Sequence, residues 1–301
     1  GAVLMVGQSS HRLLRDLLAW AVVLLFMFPL AWWVLASFKP YTAIFNITPV
    51  YVDFAPTTAN YEVTLLGRSR VDVAIEQAGG VGGTAGGGSS YYSIPSIRDS
   101  IVVAVGSTVL AVTLATLAAY GLSRFRMCGH QHFLFWILAQ RMMPPIAVAI
   151  PIFFMFRDLG LRDTHLGLIL AHTLINLPIA VLLMKSFFDD VPQELDEAAM
   201  IDGAGRFQCF SRVVLPLVKG GLAATAVLCF IFSWTEFLLS LQLTTSIRTL
   251  PVKISTFVTS TGTEWGFITA LGSAALVPSF LFILLVQKHL VRGLTLGSLK
   301  D

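Results

Sequence analysis

The chain has 301 residues, of which 55% are hydrophobic and only 12% are charged, and its formal net charge is +3. Soluble domains carry about 25% charged residues, and the mean hydropathy here is +0.77, so the composition excludes an ordinary soluble protein. The small net charge is spread along the chain, and we expect no nucleic-acid partner. The sequence therefore predicts an integral membrane protein of the all-α, polytopic class.

Six segments are long and apolar enough for spanning helices, which need about 20 mostly apolar residues. They are residues 17–37, 100–122, 133–156, 166–187, 221–243 and 267–286. We expect residues 1–16 to be a cytoplasmic N-terminus and 17–37 an uncleaved first transmembrane helix rather than a signal peptide. In this topology eleven basic residues lie on the cytoplasmic side and eight outside, a modest bias in the direction of the positive-inside rule.

An extracytoplasmic loop is predicted for residues 38–99, and a Gly/Ser-rich tract occupies its middle, at 78–93. Such composition is typical of flexible coil. A core of five further transmembrane helices is predicted for residues 100–291, with a cytoplasmic loop at 192–216. Residues 292–301 form a cytoplasmic tail in this interpretation.

The third span contains two consecutive prolines in the sequence RMMPP, residues 141–145. Because proline lacks a backbone N–H, the pair is expected to kink or unwind the helix. Arg141 then lies near mid-membrane, where a charge usually faces a cavity or a partner. Two interpretations stay open: Arg141 lines a polar pathway, or it binds carbonyl groups that the kink has freed.

The fourth span carries His172 and Asn176 one helical turn apart. These side chains either line a pathway or form hydrogen bonds between packed helices. Two adjacent carboxylates, Asp189 and Asp190, follow at the membrane edge and are interpreted as solvated residues at a helix end.

A polar segment with a glycine at its centre, residues 192–216, interrupts the apolar pattern. Pro192 suits the first position of a helix, and the carboxylates that follow favour the positive end of the helix dipole. Four residues share one face at i, i+3, i+4 and i+7: Leu195, Ala198, Ala199 and Asp202. Gly203 can adopt the left-handed conformation that ends such a helix. The pattern predicts a short, rigid cytoplasmic helix.

The fifth span carries a hydrophilic stripe of Ser233, Glu236 and Ser240 at i, i+3 and i+7. Glu236 is a natural counter-ion for Arg141 if the two spans touch, and we treat that pair as a hypothesis. The candidate residues for a substrate pathway are Arg141, Asn176, Ser233, Glu236 and Ser240.

The polar segment matches a spaced pattern: E-A-A, three residues, Gly, nine residues, an aliphatic residue, one residue, Leu-Pro. Its positions are Glu197, Ala198, Ala199, Gly203, Val213, Leu215 and Pro216. On this pattern the chain resembles the permease subunits of ATP-binding-cassette (ABC) importers of the maltose type, also called type I. Residues 54–61 resemble the segment that follows the first span in sugar-type permeases. Residues 141–145, 160–172 and 176–178 are similar to members that handle sugars, sugar alcohols or glycerol-type polyols.

The resemblance implies the type I permease fold of six transmembrane helices and a cytoplasmic coupling helix, in the inner or plasma membrane of a bacterium or archaeon. It implies contact with the ATPase through Glu197, Ala198, Ala199, Asp202, Gly203, Leu215 and Pro216. The implied partners are a second, different permease subunit, two cytoplasmic ATPase subunits that bind ATP and Mg²⁺, an extracytoplasmic substrate-binding protein and membrane lipid. The loop 244–266 would extend toward that binding protein, and the tail 292–301 would contact the ATPase pair.

The sequence contains no phosphate-binding G-x-x-x-x-G-K-[ST] motif and no G-x-S-x-G motif, and its histidines lack metal-ligand spacing. We therefore expect no cofactor, metal or catalytic residue on this chain, and a transport subunit rather than an enzyme. Two alternative functions remain: an ion-coupled secondary transporter, and an integral-membrane transferase that acts on lipid substrates.

Overall fold

The computed structural model describes residues 2–46, 48, 50–51, 53–77, 91–125, 128–260 and 262–297, with side chains described between residues 15 and 287 of these. Contacts divide the chain into two units, Gly1–Ser93 with Phe257–Ala274 and Ile94–Thr256 with Ala275–Asp301. Most of the predicted Gly-rich tract (78–90) and the side chains of the predicted tail lie outside the described residues.

The described part of the first unit contains one long helix, three short helices and an antiparallel ribbon of two strands with two residues each. In chain order these are α1 (Ala2–Ser37), α2 (Tyr41–Ile44), α3 (Ala59–Leu65), α4 (Arg70–Gln77), β1 (Val258–Thr259) and β2 (Gly262–Thr263).

The second unit is built from helices throughout its described residues. They are α5 (Ile94–Arg124), α6 (His130–Met142), α7 (Pro145–Asp158), α8 (His165–Asp189), α9 (Glu194–Ile201), α10 (Arg206–Gln208), a π-helix (Cys209–Val214), α11 (Leu215–Leu217), α12 (Lys219–Trp234), α13 (Leu238–Leu243) and α14 (Leu250–Ser255). The last helix, α15 (Trp265–Gly297), begins in the first unit and ends in the second. Helix α5 begins six residues before the predicted second span, inside the loop predicted for 38–99.

Four stretches of the described chain are long and apolar enough to cross a membrane as single helices: Arg15–Ser37, Ile94–Arg124, His165–Asp189 and Trp265–Gln287. Two bent pairs also qualify when each is taken as one span: α6 with α7, bent by 96°, and Arg206–Leu217 with α12, bent by 76°. The described residues therefore hold four to six spans, in agreement with the predicted all-α polytopic architecture.

The third predicted span is broken at the proline pair, as the sequence predicts. Helix α6 ends at Met142 and α7 starts at Pro145, with Pro144 in an extended conformation between them. Pro145 can begin α7 because the first residue of a helix does not use its N–H in an intrahelical bond.

The prediction of one continuous helix for residues 221–243 is wrong. Helix α12 ends at Trp234, and α13 begins at Leu238. The carboxylate of Glu236 accepts hydrogen bonds from the backbone N–H groups of Leu239, at 2.7 Å, and Ser240, at 3.0 Å. These are amides that a new helix leaves without intrahelical partners, so Glu236 stabilises the start of α13 after the break.

The second unit is centred on α5 and α8, which pack along their lengths, with α12 against both. Ala111, Ala115 and Ala119 are fully buried in this contact. Small residues allow helix backbones to approach closely in a membrane protein. Larger side chains of α8, Met184 and Phe188, fill the rest of the contact.

Buried hydrogen bonds organise the first unit. The Asn60 amide donates to the carbonyl oxygens of Ser37, at 2.8 Å, and Lys39, at 3.0 Å. A Cβ atom at Gly266 would lie 2.5 Å from the Asn60 Oδ1 atom, so only glycine fits there. Arg70 forms an ion pair with Glu264.

Enlarging the α5–α8 contact should destabilise the protein. Ala115→Leu adds three carbons to a fully buried site, so we expect a loss of about 1–3 kcal/mol and a lower thermal unfolding midpoint in detergent. Ala118, one turn further along α5, is exposed, and Ala118→Leu is the matched control. Equal midpoints for the two variants would contradict the packing described here.

Candidate functional site

Helix α9, the candidate docking helix, ends in a Schellman motif at Gly203. The Gly203 N–H bonds the Met200 carbonyl at 3.1 Å, and the Ala204 N–H bonds the Ala199 carbonyl at 3.0 Å. Gly203 has φ +87°, the left-handed conformation that this motif requires. The predicted helix end at Gly203 is therefore confirmed.

The start of α9 differs slightly from the prediction. The helix begins at Glu194, two residues after Pro192, whose carbonyl accepts the Leu195 N–H at 3.4 Å. Pro192 thus precedes the helix instead of occupying its first position. The carboxylates of its first turn, Glu194, Asp196 and Glu197, lie at the positive end of the helix dipole.

Most of the predicted docking residues are accessible. Glu197, Ala198, Asp202 and Gly203 are exposed, and Ala199 is half-buried. Because two of these residues are alanines, another surface can approach the helix backbone closely. The structure does not place Leu215 and Pro216 on this helix, since they lie in α11 beyond the π-helix.

Large apolar side chains also lie on this surface, and of these the sequence analysis selected only Leu195. Ile201 is 85% exposed and Phe207 is 75% exposed, and Leu195 and Met200 are also accessible. Exposed apolar groups clustered in a polar segment are typical of an interaction surface. The available signal was two large apolar residues, Met200 and Ile201, directly before the Asp-Gly turn at 202–203.

Asp196 faces the opposite way and is buried. Its Oδ2 atom accepts a bond from Arg124 Nε at 2.8 Å, and its Oδ1 atom accepts one from the Tyr120 hydroxyl at 3.1 Å. Arg124 also donates to the carbonyls of Phe188, at 3.1 Å, and Val191, at 2.9 Å. We call Tyr120, Arg124 and Asp196 the Arg124 hub. Nothing in the sequence alone indicated this contact.

The chain returns to the helices of the second unit through α10, the π-helix and α11. Cys209, Phe210 and Val214 of the π-helix are buried, and the Phe210 ring lies 4.8 Å from that of Tyr120. Leu215 packs against the same apolar cluster. This segment is therefore anchored by packing on the inner side of the docking helix.

A second buried polar network surrounds His172 of α8. Its Nδ1 atom lies 2.6 Å from the Ser233 hydroxyl, and its Nε2 atom lies 3.0 Å from the Ser240 hydroxyl and 3.2 Å from a Glu236 oxygen. Ser107 of α5 donates to Ser233 at 2.8 Å. Both ring nitrogens of His172 are therefore within hydrogen-bond distance of side-chain oxygens. The network joins α5, α8 and both sides of the break in the fifth span.

The predicted pathway residues are therefore brought together only in part. Ser233, Glu236 and Ser240 meet at His172, although the break prevents them from sharing one helical face. Asn176 is buried nearby on α8 and donates to the Cys229 carbonyl at 3.2 Å. Its Oδ1 atom has no hydrogen-bond partner among the described residues.

The hypothesis of a direct Arg141–Glu236 pair does not agree with the structure. Glu236 is held by His172, by Ser240 and by backbone amides. Arg141 is exposed at the end of α6, with its guanidinium carbon 5.0 Å from the centroid of the Phe232 ring. The backbone amides and His172 meet the need of Glu236 for donors, so no arginine is required.

On the predicted outer side of the second unit, Asp163 fixes the loop between α13 and α14. Its carboxylate accepts the backbone N–H groups of Thr245, Ser246 and Ile247 at 2.9–3.1 Å, and both hydroxyls of that stretch. Burial acts to raise the pKa of Asp163, but the Ser246 hydroxyl and the three amides lower it by more. The pKa of Asp163 is therefore held well below its ordinary value.

A cavity in the described part of the first unit has a volume of about 560 Å³ and a mostly apolar lining. Arg70 and Asn60 are among its few polar groups. Arg70 pairs with Glu264, and the Asn60 amide nitrogen is bonded to two carbonyls. The Arg70 guanidinium and the Asn60 amide nitrogen therefore already have partners within the chain.

Residues 111–296 match the model of the family described as "Binding-protein-dependent transport system inner membrane component", and they include α9, the Arg124 hub and the His172 network apart from Ser107. The chain belongs to this family. It is 33% identical over 299 residues to the probable ABC transporter permease protein y4oR of Sinorhizobium fredii, with 98% of each chain covered. It is 30% identical over 276 residues to the diacetylchitobiose uptake system permease protein DasC of Streptomyces coelicolor, covering 91% of this chain and 92% of that one.

A solved structure has a similar fold. It is the crystal structure of a bacterial ABC transporter involved in the import of the acidic polysaccharide alginate, with a TM-score of 0.66 and 22% identity. The match covers 92% of this chain and 95% of that chain. The predicted permease fold is thereby confirmed.

Family membership establishes a multi-pass inner-membrane subunit of an ABC importer. The permease assembles with other ABC subunits, and it is a transport subunit and not an enzyme. The resemblance found in the sequence is confirmed at this level.

His172 should stabilise the broken fifth span. His172→Ala leaves Ser233, Ser240 and Glu236 without a shared partner in a buried site, and we expect a loss of about 1–3 kcal/mol. The measurement is the thermal unfolding midpoint of the purified permease in detergent. His132 is exposed, so His132→Ala should leave the midpoint unchanged, and an equal shift for both variants would contradict the role of the network.

The Asp163 anchor should hold throughout the neutral and mildly acidic range. A depressed pKa in the folded state contributes stability above the ordinary Asp value of about 3.9, and that stability is lost as the pH falls below this value. We expect the amides of residues 245–247 to stay protected from hydrogen exchange between pH 8 and pH 5, after correction for the intrinsic rate. Asp163→Asn should raise their exchange tenfold or more at pH 7, whereas Asp158→Asn, at an exposed carboxylate, should not.

Proposed function

We propose that this permease forms one half of the translocation pore of an ATP-driven, binding-protein-dependent importer of a sugar or polyol. The name of the diacetylchitobiose permease, which is similar over nearly the whole chain, supports a carbohydrate substrate. The similarity of residues 160–172 and 176–178 to sugar and polyol permeases supports the same class. A different permease subunit supplies the other half of the pore, and an extracytoplasmic binding protein delivers the solute.

The exposed face of α9 is the observation that carries the coupling part of the proposal. Glu197, Ala198, Asp202 and Gly203 are accessible on a helix whose end is fixed by a Schellman motif. Ile201 and Phe207 add apolar surface beside them. A groove in an ATPase subunit would cover this surface, and a basic residue there would pair with Glu197. Leu215 and Pro216 connect this surface to the membrane helices.

The mechanism follows from this contact. ATP and Mg²⁺ bind at the two ATPase subunits and close them on each other. Each ATPase subunit carries with it the docking helix seated in its groove, and the permease helices follow from an inward-open to an outward-open arrangement. A docking helix can transmit such a movement only when it is firmly attached to those helices.

The pathway candidates take different roles in this proposal. Asn176, Ser233, Glu236 and Ser240 are buried or partly buried and make hydrogen bonds within the chain. We assign them to shaping the route, by holding the break between α12 and α13. Arg141 is exposed at the bend between α6 and α7, and we place it on the route of the solute.

Two observations favour an importer over the alternative functions. An ion-coupled transporter needs a carboxylate that exchanges its partner for the ion, whereas Glu236 is bonded to His172 and to two backbone amides. A lipid transferase would use Asp189 and Asp190 for chemistry, whereas Asp189 pairs with Lys185 at 2.5 Å.

Gly203→Asp should uncouple ATP hydrolysis from uptake. No atom lies within 4 Å of a Cβ built at Gly203, so the new carboxylate points into space that the ATPase would occupy. The complex is reconstituted in liposomes with both permeases, the ATPase subunits and the binding protein loaded with its solute. We expect uptake to fall tenfold or more while the permease stays in the membrane.

The matched control is Gly129→Asp. Gly129 also has positive φ (+78°) and open space around its Cβ position, but it precedes α6 and not the docking face. Normal uptake by Gly203→Asp would contradict the docking assignment. Uptake that proceeds without ATP and stops when ionophores collapse the ion gradients would contradict the importer itself. The solute follows from a binding assay on the cognate binding protein.

A further inference from the structure

We propose that the Arg124 hub is the mechanical connection between the docking helix and the membrane-spanning helices, and that Arg124 and Asp196 are positioning residues for coupling. The inference rests on the proposed docking role of α9, and it adds the residues that pass the movement onward.

The burial pattern of α9 supports this inference first. Asp196 is the one buried residue of this helix. The other residues of α9 are exposed or half-buried. The π-helix packs on the inner side of α9, and the Asp196 carboxylate is the buried side-chain contact that joins α9 to α5.

The chemistry of Arg124 provides a second argument. Its side chain is only 6% exposed, and that of Asp196 is 9% exposed. Removing one member of a buried charge pair destabilises the structure, because the remaining charge is left without a partner. The guanidinium group is a planar fork of donors, and here three of its acceptors lie outside α5: Asp196, the Phe188 carbonyl and the Val191 carbonyl.

The three acceptors belong to different parts of the permease, and this is what makes the hub a connection. Arg124 is the last residue of α5. Phe188 lies in the last turn of α8, and Val191 lies in the link from α8 to α9. One side chain therefore ties the ends of the two central helices to the docking helix. Movement of α9 pulls on both α5 and α8 through hydrogen bonds that have little freedom to lengthen.

Tyr120 completes the arrangement. It lies one helical turn before Arg124, and its hydroxyl group donates to the second oxygen of Asp196. Its ring packs against Phe188, at 5.6 Å between centroids, and against Phe210, at 4.8 Å. Both carboxylate oxygens of Asp196 are thus bound to α5, which fixes the orientation of α9 as well as its distance.

The test compares transport per ATP hydrolysed in the full reconstituted complex. Asp196→Asn keeps the volume but removes the charge, Arg124→Lys keeps the charge but loses the fork of donors, and Tyr120→Phe removes one hydroxyl group. We expect the ATPase subunits to co-purify with all three variants, because the exposed docking face is unchanged. Solute transported per ATP should fall tenfold or more for Asp196→Asn and for Arg124→Lys, and two- to threefold for Tyr120→Phe.

The matched control removes the ion pair between Lys185 and Asp189 of α8, in which Asp189 is exposed and Lys185 is half-buried. Lys185→Gln should leave transport per ATP unchanged, since an i, i+4 pair that is open to solvent on one side contributes little. A purely structural role of the hub would lower the amount of complex without changing the ratio of transport to hydrolysis.

The outcomes separate this inference from the proposed function. An unchanged ratio in Asp196→Asn and Arg124→Lys, with Gly203→Asp uncoupled, would overturn the role of the hub and leave the docking face intact. Failure of all three hub variants to assemble would also overturn it, because the hub would then be a requirement for folding. ATP-independent uptake by the unaltered complex would reject the proposed function itself.

Discussion

Polar groups buried inside a membrane-spanning bundle must find partners in the protein, because lipid supplies none. In this permease, that constraint operates where helices stop. The break in the fifth span exposes the amides that start α13, and Glu236 accepts two of them. The end of α8 leaves carbonyl groups free, and Arg124 donates to two carbonyls there. The charged side chains at these points are therefore explained first by the backbone amides and carbonyls to which they form hydrogen bonds.

The two buried networks share the same pair of helices. Ser107 of α5 and His172 of α8 belong to the network in the membrane, and Arg124 and Phe188 connect the ends of those helices near α9. Between the two networks the contact is built from buried alanines and is therefore close. Helices α5 and α8 thus form a continuous stiff element from the docking helix to the broken fifth span. In the proposed mechanism this element carries movement from one to the other.

The sequence predicted features that depend on local chemistry. Hydropathy located the spans, the proline pair located the bend at residues 143–145, and the position of Gly203 located the end of α9. Each of these features depends on local backbone geometry or on how apolar a stretch of neighbouring residues is. The spaced pattern from Glu197 to Pro216 also pointed to the correct family, because the spacing of its positions is more specific than composition.

Contacts between distant parts of the chain could not be predicted in the same way. Tyr120 and Arg124 lie more than 70 positions before Asp196, and one sequence gives no measure of which helices pack together. Glu236 was assigned to Arg141 because both carry charge inside the membrane, whereas His172 and two amides are its neighbours. The predicted stripe of Ser233, Glu236 and Ser240 assumed an unbroken helix. The helix is broken here, and the Glu236 carboxylate binds backbone amides after the break.

The setting of Glu236 bears on how acidic residues in transmembrane segments are interpreted. An acid in a predicted span is commonly taken as a sign that a carrier draws on the proton-motive force or on a sodium gradient. Here two main-chain amides and an imidazole bind the acid, and its place is at the origin of a helix. Counting acidic residues in predicted spans will therefore assign too many proteins to gradient-driven carriers, unless acids that cap helices are first excluded.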